Sequence, residues 1–276
     1  MGGLDGRLNK PIVIKVGTNV VTRKHEVSGR PSLDVNLLRD LAREISEIME
    51  LTSRRIILVS SGAVAAGREV MKLSAEIEKT TAGKQALASV GQPRLMREYE
   101  RAFLMARPPR GVGQMLLTAH DFERENAKNN ILSTLGVLPR DIVTIINEND
   151  TVATDELNLG DNDQLAARIA TLVKAEILIL LTDIDGVFNK DPRKHEDATI
   201  KRVLSFDELT EEFIESCGGG TSTNGTGGMA SKLRAARIAS ADNIQTFIAN
   251  GKRPGVLSAI VREEQVGTEI RPRLAA

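Results

Sequence analysis

The residues best suited to chemistry in this 276-residue chain are lysines that stand beside glycine-rich segments. Lys15 opens the segment KVGTN, and Lys232 ends GGGTSTNGTGGMASK, residues 218–232. Glycine lets backbone amides approach a ligand closely, and the start of a helix offers its positive end to an anion. Gly17 and Gly62 each stand at such a turn, and either alone could be an ordinary strand-to-helix connection. Two such turns beside an acidic cluster favour a phosphate or carboxylate site.

A second group of candidate residues is acidic, with no lysine or arginine between its members: Asp150, Asp155, Glu156, Asp161 and Asp163. A surface loop can carry such charges at little cost. Two of these aspartates, however, flank Asn162 where a helix is predicted to begin, so they could cap it and hold a cation, an ammonium group or a lysine. The spacing does not fit a calcium loop, and the histidines lie outside these motifs, which argues against a zinc site or a histidine-based triad.

The elements that must position these residues are short apolar runs alternating with helical segments. The runs are PIVIKV (11–16), RIILVS (55–60), IVTIIN (142–147), EILILLT (176–182) and IQTFIA (244–249). They are apolar almost throughout, as expected for strands covered on both faces. Helical stripes lie at 32–50, where Ser32 is the expected cap, and at 162–174. The alternation predicts an α/β fold with an open, mainly parallel sheet sandwiched between helices.

Polar and charged residues gather directly after four of these strands, in KVGTN, SSGAVAAG, NENDTVATDELNLGDND and TDIDGVFNKDP. In open parallel sheets that edge is where ligands bind. The segment GTGGMA (225–230) matches the glycine spacing of a dinucleotide fingerprint only weakly, because no strand precedes it. No Walker loop occurs in the chain, so a nucleotide would bind by another architecture.

The composition argues against nucleic-acid-binding, membrane-spanning and secreted proteins. Lysine plus arginine equals aspartate plus glutamate, 37 each, which argues against a nucleic-acid partner. The apolar runs are too short to cross a bilayer, and the first residues lack a signal-peptide pattern. The single cysteine, Cys217, fits a reducing compartment and is expected to be a bystander. We expect a cytoplasmic protein without membrane or nucleic-acid partners.

Taken in order, KVGTN, SSGAVAAGRE, ASVGQPRLM, VGQMLLT, NENDTVAT, GDND, LLTDIDGVFNKDP and GTGGMASKL resemble the glutamate 5-kinases of the amino acid kinase family. The resemblance runs from about residue 11 to residue 270. It implies ATP-dependent phosphorylation of the γ-carboxylate of L-glutamate to L-glutamyl 5-phosphate, the first step of proline biosynthesis. A sister kinase acting on another carboxylate or phosphate acceptor is the alternative; a dinucleotide-dependent oxidoreductase and a catalytically dead amino-acid sensor are less favoured.

The resemblance also implies roles for individual residues. Lys15 resembles the lysine that holds the transferring phosphoryl group, with the amides around Gly17 beside it, and Lys232 the lysine on the leaving side. Asp163 resembles the carboxylate that orients both lysines, and Asp161 is close enough to be an alternative. Residues matching glutamate-binding positions are Ser61, Asp150 and Asn162, assisted by Asn147 and Asn149. Residues matching nucleotide-binding positions are Thr182, Asp183, Thr226, Gly227, Gly228, Met229, Ala230, Ser231 and Lys232.

Further expectations concern cofactors and assembly. The resemblance implies ATP with Mg²⁺ on the nucleotide and no metal ligand from the protein. It also implies feedback inhibition by proline and a homodimer or homotetramer. Residues 1–276 are expected to form one amino acid kinase domain, without the RNA-binding-type (PUA) domain of many bacterial members and without the fused reductase of animal and plant members.

Overall fold

The computed structural model describes residues 10–24, 29, 31–153, 162–190, 192, 194–217 and 228–273. Its strands are β1 (Ile12–Val16), β2 (Thr22–Lys24), β3 (Pro31–Leu33), β4 (Ile56–Ser60), β5 (Gly111–Leu117), β6 (Ile142–Glu148), β7 (Ile177–Thr182), β8 (Val187–Phe188), β9 (Ile200–Lys201), β10 (Val203–Ser205), β11 (Gln245–Asn250) and β12 (Thr268–Arg271).

The helices are α1 (Thr18–Val21), α2 (Val35–Thr52), α3 (Ala63–Val70), α4 (Ala75–Lys79), α5 (Thr81–Met105), α6 (Glu125–Val137), α7 (Asn162–Leu172), α8 (Glu211–Cys217), α9 (Met229–Ala241) and α10 (Val256–Val261). Single 3-10 turns lie at Ala119–Phe122 and Phe206–Glu208. Among the helices that the structure describes, none is long and apolar enough to cross a membrane.

Eight strands form one sheet in the order β10-β12-β11-β7-β1-β4-β6-β5. Every pairing in it is parallel except that of β11 with β12. All five strands predicted from sequence belong to this sheet, and their bounds agree to within one residue. The predicted open, mainly parallel sheet between helices is confirmed. The carboxyl ends of β1, β4, β6 and β7 therefore lie along one edge, where the polar motifs were expected to meet.

Each face of the sheet carries its own apolar core, because successive side chains of a strand point to opposite faces. On β1, Ile12 and Ile14 pack in the core under α2, α5 and α10, whereas Val13 packs in the core under α6, α7 and α9. All three side chains are fully buried. Burial on both faces explains why these strands read as continuous apolar runs.

The predicted cap of the first long helix is wrong. Ser32 lies in β3, which pairs with β2 in an antiparallel hairpin. The helix begins at Val35, and Asp34 caps it by accepting a hydrogen bond from the Leu37 amide at 3.1 Å. Ser and Asp are both good caps, so the sequence could not choose between them without the hairpin that removes Ser32.

Candidate active site

Two lysines and one aspartate form a buried trio at the carboxyl edge of the sheet. Lys15 Nζ lies 2.7 Å from Asp163 Oδ1, and Lys232 Nζ lies 3.0 Å from Asp163 Oδ2. The Asp163 side chain is 0% exposed, and those of the lysines are 3% and 6% exposed. Asp163 is thus the carboxylate between the lysines, whereas Asp155, Glu156 and Asp161 lie outside the described residues.

Each member of the trio comes from a different element. Lys15 belongs to β1, Asp163 lies in the first turn of α7, and Lys232 lies in the first turn of α9. Helix α7 packs against both β1 and α9, which brings the three side chains together. With all three ionised, the trio carries a net positive charge in a water-poor place. Burying charge is unfavourable unless it is compensated, so the arrangement suits an anionic ligand.

Two glycines shape the neighbourhood for different reasons. Gly62 has φ +113°, and a Cβ there would lie 2.9 Å from Val21 Cγ2, so both backbone and packing require glycine. Gly17 has an ordinary φ of −75°. A Cβ on Gly17 would lie 3.5 Å from Lys15 Nζ, so glycine at this position leaves space beside the ammonium group. Helix α1, which follows Gly17, is a single turn.

Three of the predicted substrate residues form one hydrogen-bonded group. Asn162 Nδ2 donates to Ser61 Oγ at 2.9 Å, to Asn147 Oδ1 at 2.9 Å and to the Ser60 carbonyl at 3.2 Å. Asn162 directly precedes Asp163, so this group adjoins the trio. Asn162 Oδ1 is buried and has no hydrogen-bond partner among the described residues.

The other two predicted substrate residues lie just beyond β6 and are not hydrogen-bonded to that group. Asn149 Oδ1 accepts from Thr151 Oγ1 at 2.6 Å, and the Asn149 amide donates to the Leu117 carbonyl at 2.8 Å. Asn149 therefore shapes the turn after the strand. Asp150 is half-buried, and burial raises the pKa of its carboxyl from 3.8 to about 6. A half-buried carboxylate with a raised pKa is suited to receive a cationic group of a ligand.

On the other side of β1, at the carboxyl edge of the sheet, the Asp183 side chain connects the end of β7 with the segment that follows β1. Thr182 Oγ1 donates to Asp183 Oδ1 at 3.3 Å, and Asn19 Nδ2 donates to Asp183 Oδ2 at 3.4 Å. Asn19 belongs to the KVGTN motif, but it was not predicted as a site residue. Its motif was the available signal; the contact with Asp183 depends on the neighbouring positions of β1 and β7.

Helix α9 begins just after Gly228, and Met229, Ala230 and Ser231 form its first turn with Lys232. Ser231 Oγ is buried and has no hydrogen-bond partner among the described residues. The predicted loop residues Thr226 and Gly227 lie outside the described residues. The structure thus brings residues 228–232 of the glycine-rich motif to the trio.

Two side chains that the sequence did not single out support the group around Asn162. Tyr99 Oη lies 2.7 Å from Ser60 Oγ, and Gln92 Oε1 accepts from Asn147 Nδ2 at 2.8 Å. Burial raises the pKa of Tyr99 far above its usual range. Gln92 lies in ASVGQPRLM, one of the motifs carrying the resemblance, yet nothing in the sequence pairs it with Asn147. In the part of the chain that the structure describes, no three His, Cys, Asp or Glu side chains form a cluster able to hold a metal ion.

The chain is similar to known proteins over almost its whole length. The sequence model of the amino acid kinase family matches residues 10–250. The chain is 38% identical over 264 residues to "Glutamate 5-kinase" of Pasteurella multocida (strain Pm70), covering 95% of this chain and 69% of that relative. It is 41% identical over 267 residues to "Glutamate 5-kinase" of Clostridium perfringens (strain 13 / Type A), covering 94% of each.

Solved structures share the architecture. A UMP kinase from Bacillus anthracis has a TM-score of 0.62 at 16% identity and covers 95% of this chain and 96% of its own. A carbamate kinase from Giardia lamblia bound to AMP-PNP has a TM-score of 0.65 at 14% identity and covers 96% and 99%. At these identities the likeness concerns the fold alone.

Proposed function

Because the chain belongs to the amino acid kinase family and, within it, to the glutamate 5-kinases, we propose that it transfers the γ-phosphoryl group of ATP to the γ-carboxylate of L-glutamate. The products are L-glutamyl 5-phosphate and ADP, and the reaction is the first step of proline biosynthesis. The observation that carries the proposal is the buried trio Lys15–Asp163–Lys232, with distances of 2.7 and 3.0 Å.

The trio can neutralise the negative charge that makes this reaction difficult. A carboxylate oxygen must attack a triphosphate, so two anions meet while the bond from the γ-phosphorus to the bridging oxygen breaks and its electron pair leaves with ADP. The attacking carboxylate is already ionised, so no strong base is needed, and charge neutralisation with alignment is the main task. In our proposal Lys15 holds the transferring phosphoryl group, Lys232 neutralises the leaving oxygen, and Asp163 orients both lysines.

The substrate amino acid would lie at the ends of β4 and β6. Ser61, Asn147 and Asn162 supply hydrogen-bonding groups beside the trio, and Asp150 is proposed to bind the ammonium group. Asn149 would assist by shaping the turn that carries Asp150. The hydrogen bonds among Ser61, Asn147 and Asn162 support a preformed site.

The nucleotide would lie on the side of β7 and α9. We assign Thr182 and Asp183, together with residues 226–232, to ATP. The missing side chain at Gly17 beside Lys15 Nζ, and the Ser231 hydroxyl, which has no hydrogen-bond partner among the described residues, fit phosphate oxygens. The positively charged trio suits phosphates better than a bare metal ion, so Mg²⁺ would be held on the nucleotide, where it neutralises phosphate charge.

Regulation, assembly and location are also proposed on the basis of the family. We propose inhibition by proline, assembly as a homodimer or homotetramer, and a cytoplasmic location. Inhibition by the end product is measurable in the same assay as the reaction, and light scattering at several protein concentrations measures the assembly.

The direct test traps the acyl phosphate with hydroxylamine. The purified chain is incubated with L-glutamate, ATP and Mg²⁺, and the hydroxamate is measured with and without proline. Hydroxamate that depends on both substrates is the expected result. A parallel panel with N-acetylglutamate, aspartate and UMP tests sister kinase activities, with ADP release as the common measurement. Faster turnover of any of these acceptors than of L-glutamate overturns the proposed substrate.

A further inference from the structure

Gln92, in α5, carries a buried side-chain nitrogen that has no hydrogen-bond partner in the part of the chain that the structure describes. Gln92 Nε2 is inaccessible to solvent and makes no hydrogen bond to the described residues. Leaving a buried donor unpaired is unfavourable, and such groups in native proteins usually meet a ligand, a water or an ion. Gln92 as a whole keeps part of its surface exposed, so a small ligand could reach the amide with modest side-chain movement.

The orientation of the Gln92 amide follows from backbone groups. Asn162 Nδ2 donates to the Ser60 carbonyl, which can only accept, and it also donates to Asn147 Oδ1. Asn147 Oδ1 accepts from the Glu148 backbone amide, which can only donate, at 2.9 Å. Asn147 Nδ2 must then donate to Gln92 Oε1, at 2.8 Å. The remaining atom of the Gln92 amide is therefore a donor. We call Asn162, Asn147 and Gln92 the amide ladder.

The amide ladder leads away from the two lysines. Asn162 adjoins Asp163 at its start and touches the end of β4 through Ser60 and Ser61, whereas Asn147 lies on β6. In the sheet β1, which carries Lys15, is followed by β4 and then β6. Gln92 therefore lies at the end of the ladder far from the phosphoryl transfer. Asp150, proposed for the substrate ammonium, comes two residues after Glu148, the last residue of β6.

We infer that Gln92 Nε2 donates a hydrogen bond to the α-carboxylate of the substrate and so selects α-amino acids over acceptors that carry only the γ-carboxylate. In L-glutamate the ammonium and α-carboxylate share one carbon, so the site needs both a donor and an anion, and in this proposal Gln92 is the donor and Asp150 the anion. The inference rests on the proposed function and assigns a specificity-determining residue within the same site.

Gln92→Glu isolates the proposed contact. The new carboxylate keeps an oxygen to accept from Asn147 Nδ2, but its second oxygen replaces the free donor. We expect kcat/KM for L-glutamate to fall by about tenfold to a hundredfold, as for loss of a hydrogen bond to a charged group. The fall should appear mainly in KM, with kcat at saturation nearly kept. The inhibition constant of 4-aminobutanoate, which lacks the α-carboxylate, should change by less than about threefold on the same estimate.

The controls make each result decisive. Gln265→Leu changes an exposed glutamine next to β12, beyond the far side of the sheet, and should leave both constants unchanged. Gln92→Leu removes both the donor and the acceptor of Asn147 Nδ2 without adding charge, and it replaces Gln92→Glu if the latter fails to fold. Unchanged glutamate KM in a Gln92 variant, or a fall confined to kcat, overturns the inference, as does an equal loss for glutamate and 4-aminobutanoate. Absence of glutamyl phosphate formation by the unaltered chain would instead contradict the proposed function.

Discussion

Among single residues, Lys232 has the catalytic role that activity measurements can test most directly. Its ammonium group is nearly fully buried against Asp163, in a helix whose first turn otherwise carries small or apolar side chains. If it neutralises the leaving oxygen of ADP, its contribution is largest in the transition state. We expect Lys232→Ala to lower kcat by a factor on the order of a hundred or more, as loss of one preorganised charge contact does. Turnover and glutamate KM are measured together, and KM should hardly change.

Lys232→Arg is the matched variant, because it keeps the charge and changes only its shape. The planar guanidinium cannot occupy the place of a compact ammonium, so rescue should be poor. Melting temperatures of both variants show whether they are folded. A folded Lys232→Ala protein with near-normal turnover would leave Lys232 only a structural role beside Asp163.

The ionisation of Asp150 should make the KM for glutamate depend on pH. Its carboxyl has a pKa of about 6 because burial disfavours the ionised form, and binding an ammonium group requires that form. Glutamate keeps its ammonium and an ionised γ-carboxylate between pH 5 and 8 on ordinary pKa values of about 8 or more and about 4.3. We therefore expect glutamate KM to rise below pH 6, by about tenfold per pH unit once Asp150 is mostly protonated. Initial rates at several glutamate concentrations over this range measure it.

Asp150→Asn provides the control. Its KM should be high and nearly independent of pH over the same range. In the unliganded protein the folded-state pKa of Asp150 lies above its ordinary value of 3.8, so ionised Asp150 costs stability as pH rises through about 6. Asp150→Asn should accordingly melt at a higher temperature than the unaltered chain at neutral pH. A KM profile with the same pH dependence in both proteins would assign the titration to another group.

At the scale of elements, the contact of α3 with α5 depends on two glycines. A Cβ on Gly91 would lie 1.8 Å from the Ala63 carbonyl oxygen, and one on Gly67 would lie 2.0 Å from the Leu87 carbonyl oxygen. These atoms belong to the opposing backbone, so neither clash can be relieved by a side-chain movement. Helix α3 follows Ser61 and Gly62, and α5 carries Gln92 and Tyr99. The close packing therefore holds together the elements that shape the substrate side.

Gly91→Ala should separate these helices. We expect a loss of stability of about 2 kcal/mol or more, since overpacking against a rigid backbone costs at the upper end of the usual range. Denaturant unfolding measures the loss. Gly136→Ala is the control: Gly136 lies in α6 with nothing within 4 Å of its added Cβ, so it should gain up to about 1 kcal/mol. Equal stability of the two variants would show that the α3–α5 contact can relax.

The sequence predicted the strands well and the helices less well. The central strands are buried on both faces, so their apolar runs stand out against polar flanks, as in 177–181. Helix α5 is the longest described helix, yet it went unpredicted, because its glycines and Pro93 interrupt the usual helical pattern. Strand β5 lies at the edge of the sheet and is only partly buried, so it lacks the apolar run that marks the others.

For the site, the sequence predicted which motifs meet but not which atoms touch. Polar residues after parallel strands must share one edge, and that rule placed Lys15, Ser61, Asn147 and Thr182 together in advance. The family resemblance pointed to Asp163 as the partner of both lysines and left Asp161 as an alternative, because the contact depends on how α7 packs against α9. The outer step of the amide ladder, between Gln92 and Asn147, joins residues 55 positions apart. Such contacts depend on helix orientation, which single-sequence patterns do not encode.

At the scale of the whole molecule, one sheet joins the two halves of the site. The proposed substrate residues lie at the ends of β4 and β6 or at the start of α7. The proposed nucleotide residues that the structure describes lie at the end of β7 or in the first turn of α9, and Lys15 lies on β1 between the two groups. The two apolar cores lie on opposite faces of this sheet and share its strands. Residues of β1 contribute to both cores in alternation. Disruption of either core should therefore disturb the other through the same strands.

The chain offers one native reporter for each core, and these test whether the molecule unfolds as one unit. It has one tyrosine, one cysteine and no tryptophan. Tyr99 is buried in the core under α2 and α5, and Cys217, at the end of α8, packs partly buried against the core on the other face. Because both cores share one sheet, the urea midpoints from Tyr99 fluorescence and from pulsed thiol labelling of Cys217 should coincide. A Cys217→Ser variant, with the same Tyr99 midpoint, controls for the labelling. A Cys217 midpoint at clearly lower urea than the Tyr99 midpoint would mean that the half containing α8 and α9 unfolds on its own. In that case nucleotide, which is proposed to bind this half, should raise the Cys217 midpoint alone.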